Sequence, residues 1–174
     1  MLVAIFSDTH NNLFNLDRAL DVLLKQYPEI ENLIHCGDMA SPETLLRLHH
    51  RFKGNIFLAL GNMDKDFGLE KFILKHPIEG LKLFKDLGFI ELGGRKIFFI
   101  HRKEDLSAGR QLADKGADII FYGHTHRPWE ENYHGIRLVN PGNLEGTFFR
   151  PTFAVYDTVS REVRLMDLDF FKKS

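Results

Sequence analysis

Leu2-Val3-Ala4-Ile5-Phe6-Ser7-Asp8-Thr9-His10 opens the chain, and its reading decides the fold. The unbroken apolar run over 2–6 marks a buried strand. A polar tetrapeptide follows at the strand's carboxyl end. The period then changes: Leu13, Leu16, Leu20, Leu23 and Tyr27 recur every three to four positions, the stripe of an amphipathic helix. Asn11 or Asn12 is the expected N-cap, and Pro28 lies just past the end. A second strand over 32–36 ends in Gly37-Asp38. Ser41-Pro42-Glu43 starts a second helix, with serine as cap, proline at the first helical position and an acid in the first turn. That helix reaches about residue 50. A third strand over 55–60 ends in Gly61-Asn62-Met63-Asp64. Strand, helix, strand, helix, strand predicts an α/β fold with a parallel sheet. In such sheets ligands bind outside the carboxyl ends of the strands, where the polar motifs lie.

The stretch 65–86 carries weaker signals. Phe67, Phe72, Ile73 and Leu74 suggest a helix closed by Pro77, and 80–87 is mixed. Lys71, Lys75, Lys82 and Lys85 are expected on a solvated face. Strands over 89–92 and 96–100 flank Gly93-Gly94 and read as a hairpin. The second of them ends in His101-Arg102. A helix over about 105–115 leads into an apolar strand over 117–122, which stops at Gly123-His124-Thr125-His126. Beyond His126 the pattern is all-β. A hairpin pairs 129–133 with 136–139 around His134-Gly135, Asn140-Pro141-Gly142-Asn143 is a turn, and a last hairpin pairs 153–156 with 163–168. No repeat or linker interrupts the chain, so one domain over 1–174 is expected.

Composition bounds the function. The chain has 174 residues, 44% hydrophobic, with 16 Phe, which suits one aromatic-rich core. A net charge of −1 gives no electrostatic reason to expect stable nucleic acid binding. The one cysteine, Cys36, reads as a buried reduced thiol. No intramolecular disulfide is possible, which suits a reducing compartment. The start lacks the features of a signal peptide, and no stretch approaches the roughly 20 apolar residues of a membrane span. The expectation is a soluble cytoplasmic protein that makes no membrane contact.

The polar residues at strand ends form a set: Asp8, His10, Asp38, Asn62, His101, His124 and His126. His124 and His126 stand at i and i+2, which point to one side of an extended chain. Two carboxylates, an amide and four imidazoles suit Mn²⁺, Fe, Ni²⁺ or Zn²⁺, and the missing thiolates argue against structural zinc. Seven side chains are too many for one ion. They suit two ions roughly 3.5–4 Å apart, bridged by a carboxylate and a hydroxide.

The ordered motifs Asp8-x-His10, Gly37-Asp38, Gly61-Asn62-x-Asp64, His101 and Gly123-His124-x-His126 resemble those of the calcineurin-like metallophosphoesterases. Within them the chain is similar to the small single-domain YfcE-like phosphodiesterases, and Asn140-Pro141-Gly142 matches another family turn. The resemblance spans residues 1 to about 160. It implies a four-layer αββα sandwich of two mixed sheets flanked by helices. It implies that Asp8, His10 and His126 hold one metal, that Asn62, His101 and His124 hold the second, and that Asp38 bridges. Asp38, Asn62 and His10 are the catalytic residues that follow. The cofactors implied are two divalent ions, Mn²⁺ first, with Ni, Fe or Zn as alternatives. The reaction implied is hydrolysis of a small phosphodiester by a metal-bridging hydroxide. Aryl diesters and 2′,3′-cyclic nucleotides are the substrate types that fit.

Two positions depart from the family pattern. Many relatives place after the asparagine a histidine that steadies phosphate or protonates the leaving group. Here Met63 stands there, and a thioether has no proton to give. Asp64 would then support the loop. Where relatives have Gly-His after the ligand, this chain has Arg102-Lys103. Arg102 is a candidate phosphate contact, with a solvated surface charge as the other reading.

Taken singly, Asp8 and Asp38 are candidate helix caps, Asn62 a turn residue and His101 a partly buried histidine. His35, His49, His50, His76 and His134 match no motif and read as structural or surface. Arg127 and Arg150 read as surface arginines ahead of phosphate contacts. Phe148-Phe149 reads as core, with a homo-oligomer contact as the alternative. The rival functions are a phosphomonoesterase with the same metals, and a non-catalytic protein-binding scaffold on the same fold.

Overall fold

The computed structural model describes residues 1–106, 112–113 and 115–171. In chain order the elements are β1 (Leu2–Phe6), α1 (Leu13–Gln26), β2 (Asn32–His35), α2 (Pro42–Arg51), β3 (Asn55–Ala59), α3 (Asn62–Asp66), α4 (Leu69–Lys75), β4 (Leu81–Phe84), β5 (Gly88–Leu92), β6 (Arg95–Ile100), β7 (Ile119–Tyr122), β8 (Trp129–Tyr133), β9 (Ile136–Asn140), β10 (Thr152–Asp157) and β11 (Val163–Asp167). One sheet has the order β11-β10-β1-β2-β3-β4 and the other β5-β6-β7-β9-β8. β1 to β4 are parallel, and β10 and β11 join antiparallel. In the second sheet β6, β7 and β9 are parallel between antiparallel edges. Both sheets are therefore mixed, as expected.

β1 shows why its sequence is an unbroken apolar run. It lies between β10 and β2, and both its faces are covered. Ala4 and Phe6 pack with Leu16, Leu20 and Leu23 of α1 and with Leu45 and Leu48 of α2. Val3 and Ile5 point the other way, into a core shared with Phe99, Phe121 and Tyr156 between the sheets. Alternation is present in direction and absent in polarity. Each fully buried leucine of α1 stabilises its docking by about 1.5–3 kcal/mol. Asn12 caps α1 by accepting from the Asn15 N–H, and Ser41 caps α2 by accepting from that of Thr44.

The outer face of the second sheet buries Phe98, Ile100, Ile120, Tyr122, Ile136 and Leu138 against Leu106 and Leu112. Lys103–Asp105 is a single 3-10 turn. The helix expected over 105–115 otherwise falls largely on residues 107–111 and 114, outside the described residues. No helix among the described residues is long and apolar enough to cross a membrane.

Two expectations change. The mixed stretch 80–87 contains a real strand: β4 pairs parallel with β3 through Ile56–Leu81 and Leu58–Leu83. Being a short edge strand with an outward Lys82, it shows little apolar pattern. The second change concerns Phe148 and Phe149, which are not core; they are 85% and 41% exposed. The preceding backbone is tied to Asp8 by the Leu144 and Glu145 N–H groups, and beyond it the two rings are left facing solvent. Lys71, Lys75, Lys82 and Lys85 are solvated as expected.

Candidate metal centre

The parallel strands of both sheets end at one edge of the molecule. Asp8 and His10 follow β1, Asp38 follows β2, and Asn62 opens α3 after β3. His101 follows β6, and His124 and His126 follow β7. All seven candidate residues converge there. Asp8, His10 and His126 offer ligand atoms within 4.8 Å of one another, and so do Asp38, His101 and His124. Asn62 joins the second group, its Oδ1 3.0 Å from His101 Nε2. One oxygen, Asp38 Oδ2, lies between the groups, 3.5 Å from His10 Nε2 and 3.3 Å from His101 Nε2.

The donor set leaves a demand for positive charge. A carbonyl can only accept, so His101 Nδ1–H donates to Cys36 O at 2.9 Å. The Nε2 lone pair then faces Asp38 Oδ2 and Asn62 Oδ1, three electron-pair donors around one point. By the same logic His126 Nδ1–H donates to Glu145 Oε2 at 3.0 Å, and its Nε2 faces Asp8 Oδ1 at 3.2 Å. His10 Nε2 is buried with no hydrogen-bond partner; its nearest carboxylate oxygens are 3.5 and 3.8 Å away. Only protons or metal ions complete such a set, and the residues fit a pair of divalent cations.

The acid–base properties agree. Burial opposes charge on Asp8, but the adjacent His10 and His126 imidazoles outweigh it and hold the carboxyl well below the usual range. Burial lowers the His10 and His101 pKa values, but the adjacent carboxylates raise both overall. Asp8 raises that of His126. His124 is lowered by burial and by the charges of His101 and Arg102. Arg102 is thus felt at the second group. It lines, with Leu60, Asn62, Lys65, Leu87 and Ile100, a cleft of about 260 Å³. Its nearest carboxylate is Asp105, 4.0 Å away. Arg127 stacks on Trp129 and Arg150 pairs with Asp167.

The ligand loops adopt a costly backbone. Asp8 (φ 50°), His10 (45°), Asp38 (55°), His124 (68°) and His126 (59°) all lie in the left-handed region, at roughly 1–2 kcal/mol per non-glycine residue. Two neighbouring glycines permit close packing. A Cβ on Gly61 would run into the Asp38 carboxylate, and one on Gly123 into Ser7 and Asp8.

Several further residues support the ligand loops. Asp64 accepts from the N–H groups of Asp38 (2.9 Å), Ala40 (2.7 Å) and Gly61 (2.9 Å), the loop support anticipated for it. The Asn140 amide donates to Gly123 O and Thr125 Oγ1, and Asn143 donates to His126 O. His35 is fully buried. Its Nδ1 accepts from the Gly37 N–H, so Nε2–H donates to Thr9 Oγ1 at 2.9 Å. It thereby joins the loop after β1 to the loop after β2. Neither Glu145 nor His35 sits in a motif; only the fold brings them to the site.

Burial pushes His35 down to about 4. The unfolded chain takes up this proton near pH 6.5 and the folded chain does not, so stability is lost as pH falls from about 6.5 toward 4, by up to about 3 kcal/mol. Denaturant titration of chelator-stripped protein at about pH 7 and about pH 4.5 reads this loss. We expect His35→Asn to remove that part of the slope. An unchanged slope in the variant would assign it to other groups.

A family model, the calcineurin-like phosphoesterase superfamily domain, matches residues 1–161. The chain is 28% identical over 170 residues to phosphodiesterase MJ0936 of Methanocaldococcus jannaschii, covering 97% of this chain and 100% of that protein. A solved archaeal phosphodiesterase superposes with a TM-score of 0.80 at 29% identity, over 96% of this chain and 99% of that one. The E. coli phosphoesterase YfcE shares the fold with a TM-score of 0.67 at 20% identity, over 97% and 100% of the two chains. This chain belongs to the calcineurin-like phosphoesterase superfamily of metal-dependent hydrolases.

Proposed function

We propose that this protein is a phosphodiesterase that works with two divalent metal ions. The observation that carries the reading is Asp38 Oδ2, one buried oxygen between two groups of ligand atoms. Asp8, His10 and His126 would hold one ion, Asn62, His101 and His124 would hold the other, and Asp38 would be shared by both. Bound there, the ions would lower the pKa of water between them and neutralise charge on the phosphoryl oxygens. Nitrogen and oxygen donors without thiolate suit Mn²⁺, with Ni, Fe or Zn as substitutes.

The chain's own residues define the rest. His10 belongs to the first group and Asn62 to the second, so a phosphoryl group bound across the two ions would lie beside both. Arg102 and Lys65 flank the cleft beside Asn62 and can contact a phosphate oxygen or the ester arm. Met63 donates its backbone N–H to Asp38 Oδ1, and its thioether cannot protonate a leaving group. The preferred substrates are therefore diesters that need little help from an acid: aryl phosphodiesters, whose phenolate leaves as a stable anion, and 2′,3′-cyclic nucleotides, whose strained five-membered ring favours opening. Phosphodiesterase is also the activity named for the Methanocaldococcus jannaschii relative and for the solved archaeal protein.

Chelator-stripped protein is assayed on bis-p-nitrophenyl phosphate and on p-nitrophenyl phosphate, before and after Mn²⁺. The expected result is metal-restored turnover with the diester ahead of the monoester. A faster monoester makes the enzyme a phosphomonoesterase. Metal uptake without turnover on either ester favours the scaffold reading.

A further inference from the structure

Glu145 lies outside the seven ligand positions, in the segment that follows the Asn140–Asn143 turn, yet that segment grips two ligands of the first group at once. The Leu144 and Glu145 N–H groups donate to the Asp8 carbonyl at 3.2 and 2.9 Å. The Asn143 amide donates to the His126 carbonyl at 2.9 Å. The Glu145 carbonyl accepts from Asn12 Nδ2 at 2.7 Å and from Asn15 Nδ2 at 3.3 Å, which fixes it to the start of α1. The Gly146 N–H closes the turn onto Asn143 Oδ1 at 2.6 Å. From this clamped backbone the Glu145 carboxylate reaches His126 Nδ1 at 3.0 Å, while His126 Nε2 turns toward Asp8 Oδ1 at 3.2 Å. The corresponding imidazole of the second group, His101, is oriented by a neutral carbonyl.

We infer that Glu145 is the positioning residue of the first half-site: its carboxylate fixes the tautomer and ring orientation of His126, so that Nε2 is presented to the metal held with Asp8 and His10. The inference rests on the two-metal reading but not on the choice of substrate. A carboxylate on the far nitrogen of a ligating imidazole raises its basicity and holds it in place, and loss of such a partner costs about 10- to 100-fold in metal affinity. Because the clamp itself is made by backbone groups, removing the carboxylate leaves the segment attached.

The test is a calorimetric Mn²⁺ titration of chelator-stripped protein in two backgrounds. In His124→Ala, which isolates the first half-site, Glu145→Leu should lower affinity by about 10- to 100-fold. Glu145→Gln, which retains an accepting oxygen for Nδ1–H, should recover at least half of that loss on a logarithmic scale. In His126→Ala, where the imidazole is gone, Glu145→Leu should change affinity by less than about twofold, as a double-mutant cycle requires of a coupled pair. The metal-free unfolding midpoint should stay within about 2 °C of the unsubstituted chain, a shift of less than about 1 kcal/mol. Equal losses in both backgrounds, a Gln variant as weak as the Leu variant, or a large fall in the metal-free midpoint would each overturn the inference. Absence of Mn²⁺ uptake by the unsubstituted chain would overturn the two-metal reading as well.

Discussion

Asp38→Ala is expected to lower metal-restored hydrolysis of an aryl phosphodiester by about three orders of magnitude or more, a barrier increase of about 4 kcal/mol. The size follows from what one side chain does. Asp38 is almost fully buried and places Oδ2 between His10 and His101. Loss of a single preorganised group that stabilises charge in a water-excluded site costs about 2.7–4 kcal/mol. Here the same group also joins the two half-sites, so its loss should reduce bound Mn²⁺ from two ions toward one. Asp38→Asn separates chemistry from folding. Its amide oxygen can still accept the Met63 N–H now donated to Oδ1 at 2.9 Å, but it carries no charge. We expect the Asn variant to keep its far-ultraviolet circular dichroism and still to lose about 100-fold or more in kcat/KM, at least about 2.7 kcal/mol. Metal content by mass spectrometry together with kcat/KM checks both. An Asn variant with two bound ions and near-normal turnover would remove Asp38 from the bridge.

Asp64→Ala should be the most destabilising change near the site. The Asp64 carboxylate is the shared partner of three backbone N–H groups, those of Asp38, Ala40 and Gly61. They belong to two loops, one after β2 and one after β3. Each buried donor left unpaired costs about 1–3 kcal/mol, so even the low end gives about 3 kcal/mol. For a chain of this length that is a fall of roughly 6–12 °C in Tm. Calorimetry on the metal-free protein should show it, and Asp64→Asn should recover part of it by keeping one accepting oxygen. A fall below about 2 °C, less than about 1 kcal/mol, would mean that water replaces the carboxylate. Activity should fall as well, because the Asp38 backbone is one of the three groups held.

The readable parts of the sequence were those in which local and tertiary demands coincide. Leu2–Phe6 and Ile119–Tyr122 are interior strands covered on both faces, so their apolar runs are unbroken. The capping side chains Asn12 and Ser41 announced α1 and α2. The candidate ligands were legible because each follows a strand and carries a distinctive chemistry. β4 was not legible: at an edge, a four-residue strand needs little apolar character. Phe148 and Phe149 misled because hydrophobicity alone cannot say which rings a turn exposes. His35 and Glu145 were hidden for a further reason. Their partners are Thr9, 26 residues away, and His126, 19 residues away, and no local period connects them.

The positive φ angles at Asp8, His10, Asp38, His124 and His126 set the fold and the active site against each other under selection. At about 1 kcal/mol each, the low end for left-handed non-glycine residues, they amount to about 5 kcal/mol, comparable with the whole net stability of a typical domain. Glycine would relieve that strain at every one of the five positions, and each relief would delete a ligand. A laboratory lineage selected only for heat resistance, in the presence of chelator, should therefore drift toward glycine there and lose hydrolysis while gaining melting temperature. Metal reverses the pressure. Bound ion at a hundred times its Kd would add about 2.7 kcal/mol per site to the folded state, and five of the seven candidate ligands that would collect it are strained. On the two-metal reading, the availability of divalent ions in the surroundings, and not the packing of the core, is then what keeps these five residues in the chain.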